Sequence, residues 1–258
     1  MLWFSLLVAC SAPPEAPQEL DELVGYFFAH TNDEDEATLA VGADNLDAWM
    51  DTRLEETLDG YSVKVLAQSA LDALDDHSRP TAGLVGAAVG HESPHDVTLL
   101  AAGVITTDAV ERDPDVTLAY TRESDDDVGC FLDHECDTYT YTYWATDALP
   151  LGLEVSYQNV VEYRWFTMTS GEPGLVTRQW MADPAEFNVE WLQVQAQYYS
   201  WVSLPHDGGS RNMYALWAQT QLTGTDVPED LALNLAIGSM SSGGDKLDAW
   251  VTDHPPEW

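Results

Sequence analysis

The sequence predicts an α+β fold in which a curved antiparallel sheet grips a C-terminal helix, preceded by an N-terminal helical hairpin. Three observations predict it. Residues 187–205 (FNVEWLQVQAQYYSWVSLP) are rich in Val, Tyr and Trp, which suit a pleated, half-buried strand. His206-Asp207-Gly208-Gly209 then supplies turn residues, and 211–222 (RNMYALWAQTQL) runs back as a hairpin partner. Past Asp226 and Pro228, which suit a helix cap and first turn, Leu233, Ala236, Ile237, Met240, Leu247 and Val251 recur at helical spacing. Such a helix buries its apolar stripe most economically on the concave face of a curved sheet.

With 258 residues the chain has material for one domain plus extensions, and at 45% hydrophobic it reads as globular. Its net charge of −36, from 45 acidic and 9 basic residues, excludes nucleic acid as a partner and disfavours docking by charge on anionic lipid. Neutral, cationic or apolar partners remain. The acidity also fits a strongly hydrated surface in a salty medium.

Residues 1–9 (MLWFSLLVA) form an apolar run too short to span a membrane as a helix, and 10–17 form a Pro- and Glu-bearing tether. Leu7-Val8-Ala9-Cys10 resembles the lipobox of bacterial lipoproteins, although no Lys or Arg precedes the run. The resemblance implies a signal peptide over 1–9, lipidation of Cys10 and anchorage to a lipid bilayer in the bacterial cell envelope. Ser11 resembles the pattern of lipoproteins sorted to the outer membrane. Acyl chains contribute about 0.8 kcal/mol per buried CH₂, so several of them would hold the protein there permanently.

Residues 18–56 read as the helical hairpin. Leu20, Leu23, Val24, Phe27 and Phe28 share one helix face, as do Leu39, Val41, Leu46, Trp49, Met50 and Leu54 on the next, with the acidic 31–36 linker capping the second helix. Over 57–258 the chain predicts strands at 60–66 and 81–90, then a helix over 95–110 capped by Ser93 with Pro94 in first position. Further strands are expected at 115–122, 137–147, 151–168 and 174–182. Ser241-Ser242-Gly243-Gly244 should kink or split the closing helix.

Ser93-Pro94-His95-Asp96-Val97 opening the middle helix, the Arg178-Gln179-Trp180 strand, the Trp201 to Trp217 hairpin, and Thr225-Asp226-Val227-Pro228 with Leu231 and Asn234 carry a further likeness. In this order, over about 60–251, they resemble the helix-grip fold of START-like proteins. That resemblance implies a gap between sheet and last helix that holds an apolar small molecule or lipid. It also implies a buried Arg–carboxylate pair at the polar end of the ligand, which nominates Glu162, Arg164 and Arg178, with Trp180, Tyr199, Trp201 and Trp217 as the aromatic part of the binding set. A second placement stays open, with the arginines on the outer sheet face and the aromatics as packing. Strand alternation puts Tyr199 and Trp201 with Gln195 and Gln197 on one face, and Ala196, Tyr198 and Val202 on the other.

Cys130 and Cys136 bracket FLDHE and, in an exported protein, pair as a disulfide; the competing reading makes them metal ligands with His134. His91-Glu92-Ser93-Pro94-His95 matches the H-E-x-x-H string of zinc peptidases, but Pro94 is unsuited to the helix that chemistry needs. No nucleophile elbow, phosphate loop or dinucleotide fingerprint is present, so neither catalytic residues nor a cofactor are indicated. The reading is a membrane-anchored lipoprotein that binds an apolar small molecule or lipid. Its alternatives are a structural or protein-interaction lipoprotein without a ligand cavity, and a zinc hydrolase acting through the HESPH string.

Overall fold

The computed structural model describes residues 15–255 except 34, 75–78, 80, 150, 151, 223, 224, 227 and 228. The lipobox, Cys10 and most of the tether lie outside the described residues, as does Pro228. The hairpin forms as expected from α1 (Leu20–His30) and α2 (Glu36–Arg53). Asp35 caps α2, its carboxylate accepting from the Ala37 amide at 3.0 Å.

A short 3-10 turn (Leu54–Thr57) leads to β1 (Tyr61–Val63), α3 (Gln68–Asp72), β2 (Val85–Ser93), α4 (Val97–Ile105) and α5 (Ala109–Arg112). Next come β3 (Thr117–Glu123), α6 (Val128–Leu132), β4 (Thr138–Leu149), β5 (Leu153–Thr167), β6 (Pro173–Met181) and β7 (Glu186–Phe187). The chain ends with β8 (Leu192–His206), β9 (Gly209–Leu222), β10 (Thr225–Asp226) and α7 (Glu229–Asp253). The sheet runs β1, β2, β9, β8, β6, β5, β4, β3, with β10 paired to β9 and β7 to β5. Every pairing is antiparallel. The β8–β9 hairpin turns at Asp207 and Gly208, both at positive φ, as a two-residue turn matched to strand twist requires.

Several local expectations change, and the helix expected over 95–110 is two, α4 and α5. Ser93 does not cap the middle helix, because β2 keeps pairing with β9 as far as Ser93 opposite Ser210. Asp96 takes that role, accepting from the Leu99 amide at 2.8 Å. The closing helix is not broken at 241–244: α7 is continuous over its 25 residues, while Asp226, expected to cap it, belongs to β10. A Cβ at Gly244 would stand 3.2 Å from His91 and 3.3 Å from Tyr214, so the glycine brings α7 close to the sheet.

Both faces of the sheet are covered over its central strands, while Leu118 of β3 and Trp144 of β4 are exposed. On the outer face Val176, Tyr198, Val202, Met213, Ala215 and Trp217 pack under α1 and α2, whose Leu20, Leu23, Phe27, Phe28 and Leu46 are fully buried. A Cβ at Gly86 would run into the Trp217 ring, so glycine there makes room for the indole. On the inner face Val89, Tyr163, Trp165, Leu175, Trp201 and Leu216 meet α4, α6 and α7. Cys130 and Cys136 form a disulfide with Cα atoms 5.3 Å apart. Between them Phe131, fully buried, stacks on Trp165 at 5.3 Å and closes one end of the inner face.

Phe28 meets Tyr198 and Trp217 edge-on at 6.0 and 5.9 Å and joins the hairpin to the sheet. Phe28→Ala should cost about 3–5 kcal/mol of unfolding free energy, read by chemical denaturation, through lost burial and the cavity left behind.

Candidate ligand-binding cavity

The inner face does not fill completely. Between β4, β5, β6, β8 and β9 on one side and α4, α5 and α7 on the other lies a cavity of about 340 Å³. Strand alternation supplies its wall: Tyr141 and Tyr143 from β4, Tyr157 and Tyr163 from β5, Thr177 and Gln179 from β6. Tyr199 and Trp201 from β8 and Tyr214 from β9 continue it, and Tyr120 of β3 closes the side. Ser239 and Gly243 of α7 line the cavity yet are exposed, which places its opening along that flank of the helix.

Burial raises the hydroxyl pKa of each of these seven tyrosines, so all are neutral phenols at ordinary pH. Their hydroxyls are partly committed. Tyr143 accepts from Asn159 Nδ2 at 2.6 Å and Gln179 Nε2 at 3.1 Å. Tyr157 donates to Asp147 Oδ2 at 2.6 Å. Thr177 Oγ1 and Asp147 Oδ1 are buried without hydrogen-bond partners among the described residues. An aromatic box with these two buried polar atoms unspent can hold a compact, partly polar guest.

The sheet divides the predicted binding set. Tyr199 and Trp201 line the cavity, Trp201 donating to Asn212 Oδ1 at 2.9 Å. Glu162, Arg164, Arg178, Trp180 and Trp217 lie on the outer face under the hairpin. There Arg178 donates to Glu162, with side chains 5% and 17% exposed, and Asn32 donates to the same carboxylate at 2.8 Å. Arg164 donates to the carbonyls of Thr31 and Asp33, against the negative end of α1. Trp217 donates to the Lys64 carbonyl at 2.8 Å. These charges tie the hairpin to the sheet and do not line this cavity. The lining residues missed include the β4 and β5 tyrosines, Tyr120, Tyr214 and Asp147, although Tyr139, Tyr141 and Tyr143 at every second position already put three phenols on one strand face.

The HESPH string is not on a helix: His91 and Glu92 belong to β2, and His95 lies between β2 and α4. His91 Nε2 meets Asp248 Oδ2 at 2.8 Å, Ser93 Oγ donates to Asp248 Oδ1 at 2.6 Å, and His95 Nε2 stands 3.0 Å from Thr252 Oγ1. The cluster clamps α7 onto β2. Among the described residues Asp47, Asp51 and His206 bring possible metal-ligand atoms within 4.8 Å of one another, but the Arg211 guanidinium already pairs with Asp51.

A curved antiparallel sheet closing on a C-terminal helix with a cavity between them is the helix-grip architecture expected from the sequence. No family model matches the chain, and no curated protein matches its sequence. Among solved structures it is similar to TTHA0849 from Thermus thermophilus, at 15% identity and TM-score 0.41 over 66% of this chain and 99% of that one. A STAR-related lipid transfer protein from Xanthomonas axonopodis matches at 11% identity and TM-score 0.42, over 67% and 96%. Human STARD10 matches at 9% identity and TM-score 0.43, over 75% and 83%.

The hydrogen bond that His91 donates to Asp248 is the main cause of a raised His91 pKa, reinforced by the charges of Asp248 and Asp245 of α7 and Glu92 of β2 and opposed by burial. The stabilisation is therefore complete below the unfolded value of about 6.5 and is lost as pH rises through the higher folded value. The melting temperature of wild type should exceed that of His91→Gln at pH 6, and the gap should narrow as the pH is taken to 8.5.

Proposed function

We propose that this chain binds a compact small molecule in the cavity between the sheet and α7. The observation that carries the reading is the void itself: about 340 Å³, walled by phenol and indole rings, with Thr177 Oγ1 and Asp147 Oδ1 left unpartnered among the described residues. That volume is at the lower end of the roughly 300–1,000 Å³ of small-molecule pockets, which favours a compact guest or one apolar arm over a whole two-chain lipid. Aromatic walls of this kind suit a guest with an apolar body and a small polar end.

Gly243 stands at the opening, and a Cβ there would meet nothing within 4 Å. Gly243→Trp should block entry while keeping the fold, since replacing a helix-interior glycine removes a backbone penalty of up to about 1 kcal/mol. Titrated with Nile red, wild type should saturate at one dye per chain, and Gly243→Trp should bind at least tenfold more weakly at an unreduced melting temperature. Equal dye affinity in the two proteins would overturn the assignment of the site, and so would no dye bound by wild type.

We propose also that binding takes place at the bacterial cell envelope, with the domain held by acyl chains on Cys10. The support is the Leu7-Val8-Ala9-Cys10 string and the tether that follows it. Expressed in a bacterium, the chain should partition with membranes and Cys10→Ser with the soluble fraction; identical partition of the two would sink the anchor.

A further inference from the structure

The cavity wall carries one formal charge whose partners are incomplete. Asp147, near the end of β4, faces inward between Tyr157 and Tyr143. Its Oδ2 accepts the Tyr157 hydroxyl, while its Oδ1 is buried without a hydrogen-bond partner among the described residues. Asp147 as a residue is half-buried, but a carboxylate oxygen sheltered from water and left unspent is costly, and the cost is relieved by a cation or a donor brought in from outside.

The surroundings select between those two. The phenol oxygens next to Asp147 are already committed: Tyr157 donates to Asp147, and Tyr143 accepts from both Asn159 and Gln179. Beyond the hydroxyl hydrogen of Tyr143, what they leave for a guest is ring surface. Tyr120 and Tyr143 have centroids 5.4 Å apart, and Tyr143 and Tyr157 meet edge to face at 6.0 Å, giving adjoining aromatic walls beside the carboxylate. Aromatic faces attract a cation within about 6 Å of a ring centroid, and desolvation strengthens that attraction. The other charges on the wall, Arg112 and Asp113, pair with each other at 3.4 Å, and Asp113 also takes Lys246 at 2.7 Å. Asp147 is thus the wall's one charge without an ion-pair partner among the described residues. The net charge of −36 raises the local concentration of cations and repels anions.

We infer that the ligand of this cavity is a small organic monocation, a protonated amine or quaternary ammonium on an apolar or aromatic body, received by Asp147 and the rings of Tyr120, Tyr143 and Tyr157. The inference rests on the cavity reading above and adds the chemical class of the guest. The remainder of the box, with Trp201 and Leu216 on its far wall, accommodates the apolar body.

The test uses the full chain and three probes of similar size, titrated by calorimetry: phenyltrimethylammonium, its neutral isostere tert-butylbenzene, and benzoate. Wild type should bind the cation at least tenfold more tightly than the neutral probe and show no binding of benzoate. Asp147→Asn should bring the cation to the affinity of the neutral probe while leaving the latter within twofold. A neutral probe or benzoate that binds wild type as tightly as the cation overturns the charge assignment and leaves the cavity reading standing. Equal weakening of cation and neutral probe by Asp147→Asn overturns the role of Asp147 as cation receptor. If none of the three binds, the inference falls, and the separate Nile red experiment with Gly243→Trp decides whether the cavity reading falls with it. The comparison between probes on wild type needs no variant and holds even if Asp147→Asn fails to fold.

Discussion

The structure depends on burying both faces of one antiparallel sheet. In β5, β6, β8 and β9 alternate side chains point to opposite sides, and each side carries a set of buried apolar and aromatic residues. Neither set could be left in water. The α1–α2 hairpin covers one and α4, α6 and α7 cover the other, so the N-terminal helices share a core with the sheet instead of resting on it as an appendage.

Two-sided burial also explains where the arginines went. Position 178 in β6 and position 164 in β5 alternate onto the outer face, and once the hairpin covers that face a guanidinium there must be satisfied by protein. Glu162 serves Arg178, and the carbonyls at the end of α1 serve Arg164. The polar network thus joins the end of α1 to the sheet alongside the apolar packing. On the inner face the problem is reversed. Small residues on α7, Ser239 and Gly243, fail to fill the space opposite a row of tyrosines, and a cavity results.

The clamp around Asp248 follows from the same geometry. Gly244 allows α7 to approach β2 closely enough for His91 and Ser93 to share one carboxylate. Residues that resemble a peptidase string therefore serve as a fastening for the helix that roofs the cavity. Strand β2 continues through Ser93, so the string never acquires the helical spacing that zinc chemistry would need.

Much of this was legible in local pattern. The α1 stripe of Leu20, Leu23, Val24, Phe27 and Phe28, the Asp207-Gly208 turn, the pairing of Cys130 with Cys136 and the alternation that sets Tyr199 apart from Tyr198 each depend on neighbours within a few residues. Those determine element type, turn and face parity. Which face becomes the cavity is a different matter. Glu162, Arg164 and Arg178 look equally suited to a ligand or to a helix end until α1 is seen lying over them, and Asp147 is one acid among 45 until Tyr157 and Tyr143 enclose it. By itself the sequence determined an antiparallel sheet with helices at both ends, because strand and helix periodicities are local. Only the tertiary structure decided which side holds a guest, because a void depends on how well two distant surfaces fill each other.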